Sequence, residues 1–302
     1  MAALDPNTAR GQERSWNVAD ALSWTADYFT RKEVENPRRS AEWLLSAATG
    51  LSRVELYAHF DRPLSPEERV AFRSSIERRA AGEPLQYVTG EVPFRHLVLR
   101  VRPGVFIPRP ETEVLVDVAL EYLDRCGVAA PAVLDLCTGS GAVAVSIAHE
   151  RPSAHVHATE IVPATAEQAR ENAERANVSD RVTILTGDLF APLPVELRGT
   201  LDIVVANPPY IPTADLADLP SEVAGFEPRI ALDGGADGLD VVRRIAEESA
   251  AWLRPGGVVV METDTSCAKE AARTLSRWYE DIEVRKDLTG RDRIAAGTRR
   301  EA

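Results

Sequence analysis

The chain contains 302 residues (33.0 kDa), enough for two domains at about 100–200 residues each, and its 44% hydrophobic and 27% charged residues are those of an ordinary globular protein. It has no run of eighteen apolar residues, which argues against a membrane-spanning helix, and its net charge of −12 disfavours a non-specific nucleic-acid binder. Scattered cysteines and an N-terminus without an apolar stretch favour a cytoplasmic location, with neither a disulfide framework nor a cysteine-rich zinc site.

The acidic excess lies in the C-terminal part of the chain. Residues 1–90 contain 12 basic and 13 acidic side chains, whereas the remainder contains 23 and 34. The spacing of apolar residues changes near the same point. We therefore predict a helical, substrate-engaging domain over residues 1–84, a β-hairpin with a proline-rich linker over 85–110, and a catalytic domain over 111–302.

The first domain carries the start and stop signals of helices. Apolar residues recur at helical spacing over residues 17–34, and Asn36 precedes a proline at the start of a second helix, which Gly50 ends. Ser52 and Ser65 each open a capping-box sequence, with glutamate three residues later. These signals predict a bundle of about four helices with aromatic residues in its core.

Strand patterns begin in the linker. A change to period-two alternation predicts a hairpin from Leu85 to Val105, interrupted at Gly90, and a stiff loop then leads to a helix near Glu111. Beyond it, strands alternate with helices; the predicted strands are 132–136, 155–159, 182–185, 201–206, 258–262, 282–285 and 293–296. This alternation predicts an α/β fold, with a mostly parallel sheet covered by helices on both faces and ligand sites just after the strands.

The loop after the first strand of this sheet has features of a cofactor site. Gly139 and Gly141 let the backbone pass close to a ligand, in front of the unpaired N–H groups of the next helix. Glu160, at the end of the second strand, could accept both hydroxyls of a ribose. Because the loop also matches a dinucleotide fingerprint, it fits NAD as well as S-adenosylmethionine, and Asp135 favours the cationic S-adenosylmethionine.

Asn207-Pro208-Pro209-Tyr210 (NPPY) follows the strand at 201–206. The prolines fix φ, and Asn207 is held extended because it precedes a proline. On such a rigid platform, the Asn207 Oδ1 and the Pro208 carbonyl can each accept one N–H of a planar NH2 group, while Tyr210 packs against that group. An Asp/Asn-Pro-Pro-Tyr/Phe motif is typical of methyltransferases that act on amide or exocyclic nitrogens.

The chemistry of amide methylation agrees with such a platform. An amide nitrogen is a poor nucleophile because its lone pair is delocalised. Acceptors that hold both hydrogens favour a nitrogen whose lone pair points at the methyl donor, so positioning and electrostatics carry most of the catalysis. No covalent intermediate is needed, and the sequence contains no Pro-Cys nucleophile of the kind found in cytosine-C5 methyltransferases.

Further motifs stand around NPPY, at 82–90 (GEPLQYVTG), 106–113 (FIPRPETE), 226–228 (FEP), 231–239 (ALDGGADGL) and 290–293 (GRDR). Together with NPPY they resemble the HemK/PrmC family, the glutamine methyltransferases of peptide chain release factors. The resemblance covers nearly the whole chain and implies a class I, Rossmann-like methyltransferase that uses S-adenosylmethionine and carries a small N-terminal helical bundle.

The same resemblance implies a role for each matching position. Those expected to bind S-adenosylmethionine are Cys137, Thr138, Gly139, Ser140 and Gly141 at its methionine part, Glu160 at its ribose, Asp188 and Leu189 at its adenine, Phe106 and Arg109 as a cover from the linker, and Asn207. Those expected to hold and orient the substrate glutamine are Asn207, Pro208, Pro209 and Tyr210. The chain departs from the family pattern in three places. Cys137 stands where glycine is common, Leu189 replaces a frequent aromatic residue, and Thr263-Asp264 lacks the glycine that often follows the preceding glutamate.

Two classes of function stay open. The first is methylation of the glutamine in the Gly-Gly-Gln motif of class I release factors, or of a ribosomal-protein glutamine. The second is adenine-N6 methylation of nucleic acid, which the acidic catalytic domain disfavours. An NAD oxidoreductase would need a hydride-transfer acid or base that is not apparent. We expect release factors as partners, no membrane, no direct nucleic-acid substrate and no metal.

Overall fold

The computed structural model describes residues 16–300 of the chain. They divide into two compact units, one that ends at Gly90 and one that begins at Glu91. None of the helices in residues 16–300 has the length and apolar character that crossing a bilayer requires.

The first unit is helical from residue 18 to residue 89. Its helices are α1 (Val18–Arg31), α2 (Pro37–Thr49), α3 (Arg53–Ala58), α4 (Pro66–Ala80) and α5 (Leu85–Thr89). The capping boxes predicted at Ser52 and Ser65 are confirmed, whereas Asn36 has a positive φ and its side chain makes no cap hydrogen bond. Buried apolar side chains from α1 to α4, such as Phe29 and Leu44, form the core of this bundle.

Helix α5 corrects the predicted hairpin, which begins at Glu91 and not at Leu85. Leu85 and Val88 both pack against the core of the bundle, which is the three-residue spacing of a helical turn. Gly90, with a φ of +76°, ends the helix by donating its N–H to the Gln86 carbonyl. A five-residue segment fits both periodicities, and here the packing of Val88 favours the helix.

The second unit opens with the antiparallel hairpin of β1 (Glu91–Phe94) and β2 (Leu97–Arg100). Its helices are α6 (Thr112–Cys126), α7 (Ala142–Glu150), α8 (Pro163–Arg175), α9 (Ser221–Phe226), α10 (Asp240–Ser249) and α11 (Ala268–Leu275). Its other strands are β3 (Ala132–Leu136), β4 (His155–Glu160), β5 (Val182–Thr186), β6 (Leu201–Ala206), β7 (Leu253–Glu262), β8 (Tyr279–Lys286) and β9 (Asp292–Arg299).

These strands form one seven-stranded sheet in the order β5-β4-β3-β6-β7-β9-β8. The first five are parallel, and β9 and β8 are antiparallel, so the predicted mostly parallel sheet is confirmed. Every residue of β6 is buried, which means that both faces of the sheet are covered at its centre. The chain runs outward from β3 in one direction and from β6 in the other, so a crevice opens beyond the carboxyl ends of these two strands.

The buried side chain of Asn172, on α8, ties the hairpin to the loop after β3. Its Oδ1 accepts the Arg100 N–H at 2.7 Å, and its Nδ2 donates to the Arg100 carbonyl at 3.0 Å and to the Ser140 carbonyl at 2.8 Å. One side-chain amide therefore connects the hairpin to the glycine-containing loop after β3.

Candidate active site

A cavity of about 430 Å³ lies at the carboxyl ends of β3, β4 and β6. Of the residues predicted to bind cofactor or substrate, those on its wall are Phe106, Arg109, Cys137, Thr138, Gly139, Ser140, Glu160, Asp188, Leu189, Asn207, Pro208, Pro209 and Tyr210. Gly141 is not among the lining residues. With a φ of +83°, it lets α7 start close to α8, where a Cβ would lie 3.2 Å from the Ala169 Cβ.

The loop after β3 is shaped by positive φ angles, +57° at Cys137 and +56° at Gly139. Cys137 thus occupies the left-handed conformation, which glycine adopts more readily than any other residue. The buried Asp135 Oδ2 accepts the Thr138 hydroxyl at 2.6 Å and the Ala144 N–H at 3.1 Å, which closes the loop on the first turn of α7. Burial raises the pKa of Asp135 to about 7.

Glu160 holds two backbone segments of the cavity wall. Its Oε2 accepts the Gly139 N–H at 3.0 Å and its Oε1 accepts the Val162 N–H at 2.9 Å. The residue is 8% exposed, and burial raises the pKa of its carboxyl. Each oxygen makes one of these hydrogen bonds, so each retains acceptor capacity for a hydroxyl group.

The next part of the wall contains a residue that the sequence analysis missed. Asp188 forms an ion pair with Arg244 of α10 at 2.8 Å, and both residues line the cavity. Nothing in the sequence distinguishes Arg244, because two consecutive arginines on an amphipathic helix are typical of a solvent-exposed face. Leu189 has a φ of +45° and packs into the core of the sheet, where it offers an apolar contact but no aromatic ring.

Residues of the linker close the cavity through a buried carboxylate, that of Glu227. The Arg109 guanidinium lies 4.9 Å from the centroid of the Phe106 ring and pairs with Glu227. The Glu227 Oε2 also accepts the Ile107 N–H at 3.3 Å. Glu227 lies in the FEP motif at 226–228, where no local pattern predicts its role, and its contacts show that it orients the linker.

The NPPY segment is supported from behind by the Gly-rich turn at 233–238. A Cβ at Gly234 would lie 2.8 Å from the Pro209 carbonyl oxygen, and one at Gly238 would lie 2.3 Å from the Tyr210 carbonyl oxygen. Ile211 donates its N–H to the Leu232 carbonyl at 3.0 Å. Only residues without side chains fit this close to the platform, which explains the two glycines.

The Asn207 side chain has a defined orientation. Its Nδ2 donates to the Thr112 Oγ1 at 3.2 Å, which leaves Oδ1 as the acceptor on the opposite side of the amide. Behind the platform, the Tyr210 hydroxyl lies 3.5 Å from the Oε1 of Glu262, at the end of β7. Thr112 and Glu262 were also missed, because the partners of each are distant in sequence.

A sheet of this order, a glycine-containing loop after β3, an acidic residue after β4 and NPPY after β6 define a class I methyltransferase. The family model of the PrmC N-terminal domain matches residues 20–90, and the family model of the methyltransferase small domain matches residues 98–218. The release factor glutamine methyltransferase of Geobacter sulfurreducens is 45% identical over 283 residues, which are 93% of this chain and 96% of the relative.

The enzyme of the same name from Moorella thermoacetica is 47% identical over 272 residues, 89% of this chain and 93% of that protein. The chain therefore belongs to the release factor glutamine methyltransferase family. Among solved structures, the chain is similar to the T. Thermophilus 16S rRNA N2 G1207 methyltransferase in complex with AdoMet and guanosine, with a TM-score of 0.54. The match covers 70% of this chain and 50% of that one at 24% identity, so it is a likeness of fold.

Proposed function

We propose that the protein transfers a methyl group from S-adenosylmethionine to the side-chain amide nitrogen of the glutamine in the Gly-Gly-Gln motif of class I peptide chain release factors. One observation carries this proposal. The Asn207 amide, with its Nδ2 bound to Thr112, directs Oδ1 away from Thr112 on the wall of a cavity that also contains the glycine-containing loop and Glu160. The names of the relatives support the same substrate.

The residues of the cavity suit S-adenosylmethionine. At Gly139 an added Cβ would meet nothing closer than the Cys137 carbonyl oxygen at 4.0 Å, so the missing side chain leaves open space at the wall. Glu160 would accept the ribose hydroxyls, and Asp188 and Leu189 would border the adenine. When bound, S-adenosylmethionine supplies an electrophilic methyl group.

The chain's own contribution is to orient the acceptor amide. The Asn207 Oδ1 and the Pro208 carbonyl would each accept one N–H of the glutamine, which favours a nitrogen whose lone pair faces the methyl group. Tyr210 would pack against the planar amide. Burial and the nearby Glu262 carboxyl raise the pKa of the Tyr210 hydroxyl, so it stays protonated and serves as a donor and not as a base. The methylated nitrogen is acidic enough to lose its proton to water.

The test uses purified release factor, enzyme and S-adenosylmethionine, with mass spectrometry of the Gly-Gly-Gln peptide. We expect one methyl group on the glutamine, and none when that glutamine is changed to alanine. Ribosomal proteins and duplex or single-stranded DNA serve as competing substrates in parallel reactions. Formation of N6-methyladenine, or a methylated ribosomal-protein glutamine, with the release factor untouched would refute the proposed substrate.

A further inference from the structure

Arg244 is a charged side chain of the cavity wall that has no part in the proposed methyl transfer. It lies on α10, where Val241, one turn earlier, also lines the cavity. Residues three apart share one face of a helix, so this flank of α10 forms part of the wall. Val242 and Ile245, on the adjoining flank, are buried in the core of the sheet and hold the helix in place.

The guanidinium of Arg244 is held at its edge by carboxylates. Its Nη2 donates to the Asp188 Oδ2 at 2.8 Å and its Nη1 donates to the Asp188 Oδ1 at 3.3 Å, and this bidentate pairing fixes the plane of the group. Its Nε lies 3.8 Å from the Glu248 Oε1. Because the N–H bonds of a guanidinium lie in its plane, none of these contacts covers either of its flat faces.

A contribution to stability does not explain this ion pair. The side chains of Arg244 and Asp188 are each 48% exposed, and pairs that are this exposed add little to the free energy of unfolding. The neighbouring Arg243 pairs with Asp237 and Asp240 instead, and it is not among the residues that line the cavity. The two adjacent arginines therefore both form ion pairs, and they differ in that Arg244 reaches the cavity.

The loop after β5, which carries Asp188, brings no aromatic ring to the cavity. Leu189 lines the cavity with an aliphatic side chain. The ring of Phe190 stacks on Trp252 in the core, with centroids 5.8 Å apart and planes 18° apart, and does not line the cavity. A guanidinium is planar and stacks on aromatic faces, and nucleic-acid bases stack on arginine planes as they do on aromatic side chains. Arg244 can therefore supply the flat surface that this loop lacks.

We infer that Arg244 is a cofactor-binding residue, which stacks a face of its guanidinium on the adenine ring of S-adenosylmethionine while Asp188 fixes the plane of that guanidinium. The inference rests on the proposed function, which places the adenine beside Asp188 and Leu189. It assigns a contact with the base to α10, a helix in which the sequence predicted no site residue. The carboxylates of Asp188 and Glu248 offset the positive charge of Arg244, which suits a cationic cofactor.

The first test measures the binding of S-adenosylhomocysteine by calorimetry in the wild type, Arg244→Lys, Arg244→Phe and the matched control Arg243→Lys. Lysine keeps the positive charge beside Asp188 but has no flat face, whereas phenylalanine has a flat face and no charge. We expect Arg244→Lys to raise the Kd by about fivefold to a hundredfold, the range for loss of one stacked base, and the other two variants to bind nearly as the wild type does. Unchanged affinity in Arg244→Lys, or an equal loss in Arg244→Phe, would overturn the inference.

A second ligand separates stacking from an effect through Asp188. In S-inosylhomocysteine a carbonyl oxygen replaces the NH2 group of the adenine. Stacking tolerates this change because every base has a π-face, so Arg244→Lys should weaken the binding of both ligands by the same factor. If Arg244 served only to orient the Asp188 carboxylate towards the adenine NH2 group, the substitution would weaken S-adenosylhomocysteine alone, and that result would contradict the stacking role.

These binding measurements need no acceptor protein, so failure of the inference and failure of the proposed function can be told apart. The expected pattern of affinities, together with a wild-type enzyme that leaves release factor unmethylated, would reject the proposed substrate and retain the role of Arg244. Methylation of release factor by the wild type, with equal affinities in the wild type and Arg244→Lys, would do the reverse. A wild type that binds neither ligand would overturn both.

Discussion

The two halves of the cavity are both built around buried carboxyl groups, yet they hold them differently. In the cofactor half, formed by the ends of β3 and β4, Glu160 is bound by two backbone N–H groups and Asp135 by one backbone N–H and one hydroxyl. In the half proposed to hold the acceptor, formed by NPPY and α6, the Glu262 Oε1 lies 3.5 Å from the Tyr210 hydroxyl, and its Oε2 has no hydrogen-bond partner in residues 16–300. Backbone N–H groups can only donate, whereas hydroxyls can reverse. Main-chain N–H groups therefore fix the carboxyl groups beside β3 and β4, whereas in residues 16–300 the Glu262 carboxyl is contacted by a hydroxyl that can reverse.

The largest effect should come from the acceptor half. Asn207→Ala removes one preorganised hydrogen-bond acceptor, so we expect kcat to fall by about 10²–10³, as when an oxyanion-hole donor is deleted. The dissociation constant of S-adenosylmethionine should change far less, because most of the expected contacts lie on the loops after β3 and β4. Steady-state kinetics and calorimetry measure the two quantities. A loss of cofactor affinity as large as the loss of kcat would show that the halves are not separate.

The opposite pattern should follow from Glu160→Ala. A charge-assisted hydrogen bond contributes about 1.5–3 kcal/mol, so the dissociation constant of S-adenosylmethionine should rise roughly tenfold to a hundredfold. Glu167→Ala, at an exposed position of the neighbouring helix α8, is the matched control and should bind as the wild type does. Calorimetry with NAD completes the experiment. Unchanged affinity in Glu160→Ala would remove this residue from the site, and NAD binding of comparable strength would overturn the cofactor assignment.

Both halves of the cavity belong to the unit that begins at Glu91. A fragment that starts there should bind S-adenosylmethionine nearly as the full chain does. Its methylation of release factor should fall by about tenfold or more, the equivalent of about 1.4 kcal/mol of docking energy. Full activity of the fragment on release factor would contradict the substrate-engaging role that we propose for the helical unit.

A change in stability alone, with no change in chemistry, tests the backbone packing around the loop after β3. Gly141→Ala and Gly290→Ala place alanine at φ values of +83° and +81°, but the new Cβ meets Ala169 only in the first variant and open space in the second. Both should lose about 1 kcal/mol of stability through backbone strain, and Gly141→Ala should lose a further 1–3 kcal/mol or so through overpacking. Denaturant titration measures the difference. Equal losses would show that the contact with α8 is not tight.

The sequence predicted the strands and the loops after them better than the contacts between those loops. The strand at 201–206 and NPPY after it were recognisable because their residues are neighbours in the chain. Thr112 lies 95 residues from Asn207, and Glu262 lies 52 residues from Tyr210, so no local pattern could connect them. Gly141 does not line the cavity and packs against α8, a distinction that the sequence cannot make, because a glycine that allows a close helix and one that allows a close ligand look the same there.

The Asn172 amide has a consequence for how this chain can vary over evolutionary time. The position needs one acceptor and two donors at a fixed reach, since it bonds the N–H and carbonyl of Arg100 and the carbonyl of Ser140. Aspartate would bring no proton to either carbonyl, and glutamine is one carbon too long. All three partners are main-chain groups, which every residue possesses except that proline lacks the N–H. As far as these hydrogen bonds are concerned, the side chains at positions 100 and 140 can therefore change, whereas position 172 must remain asparagine.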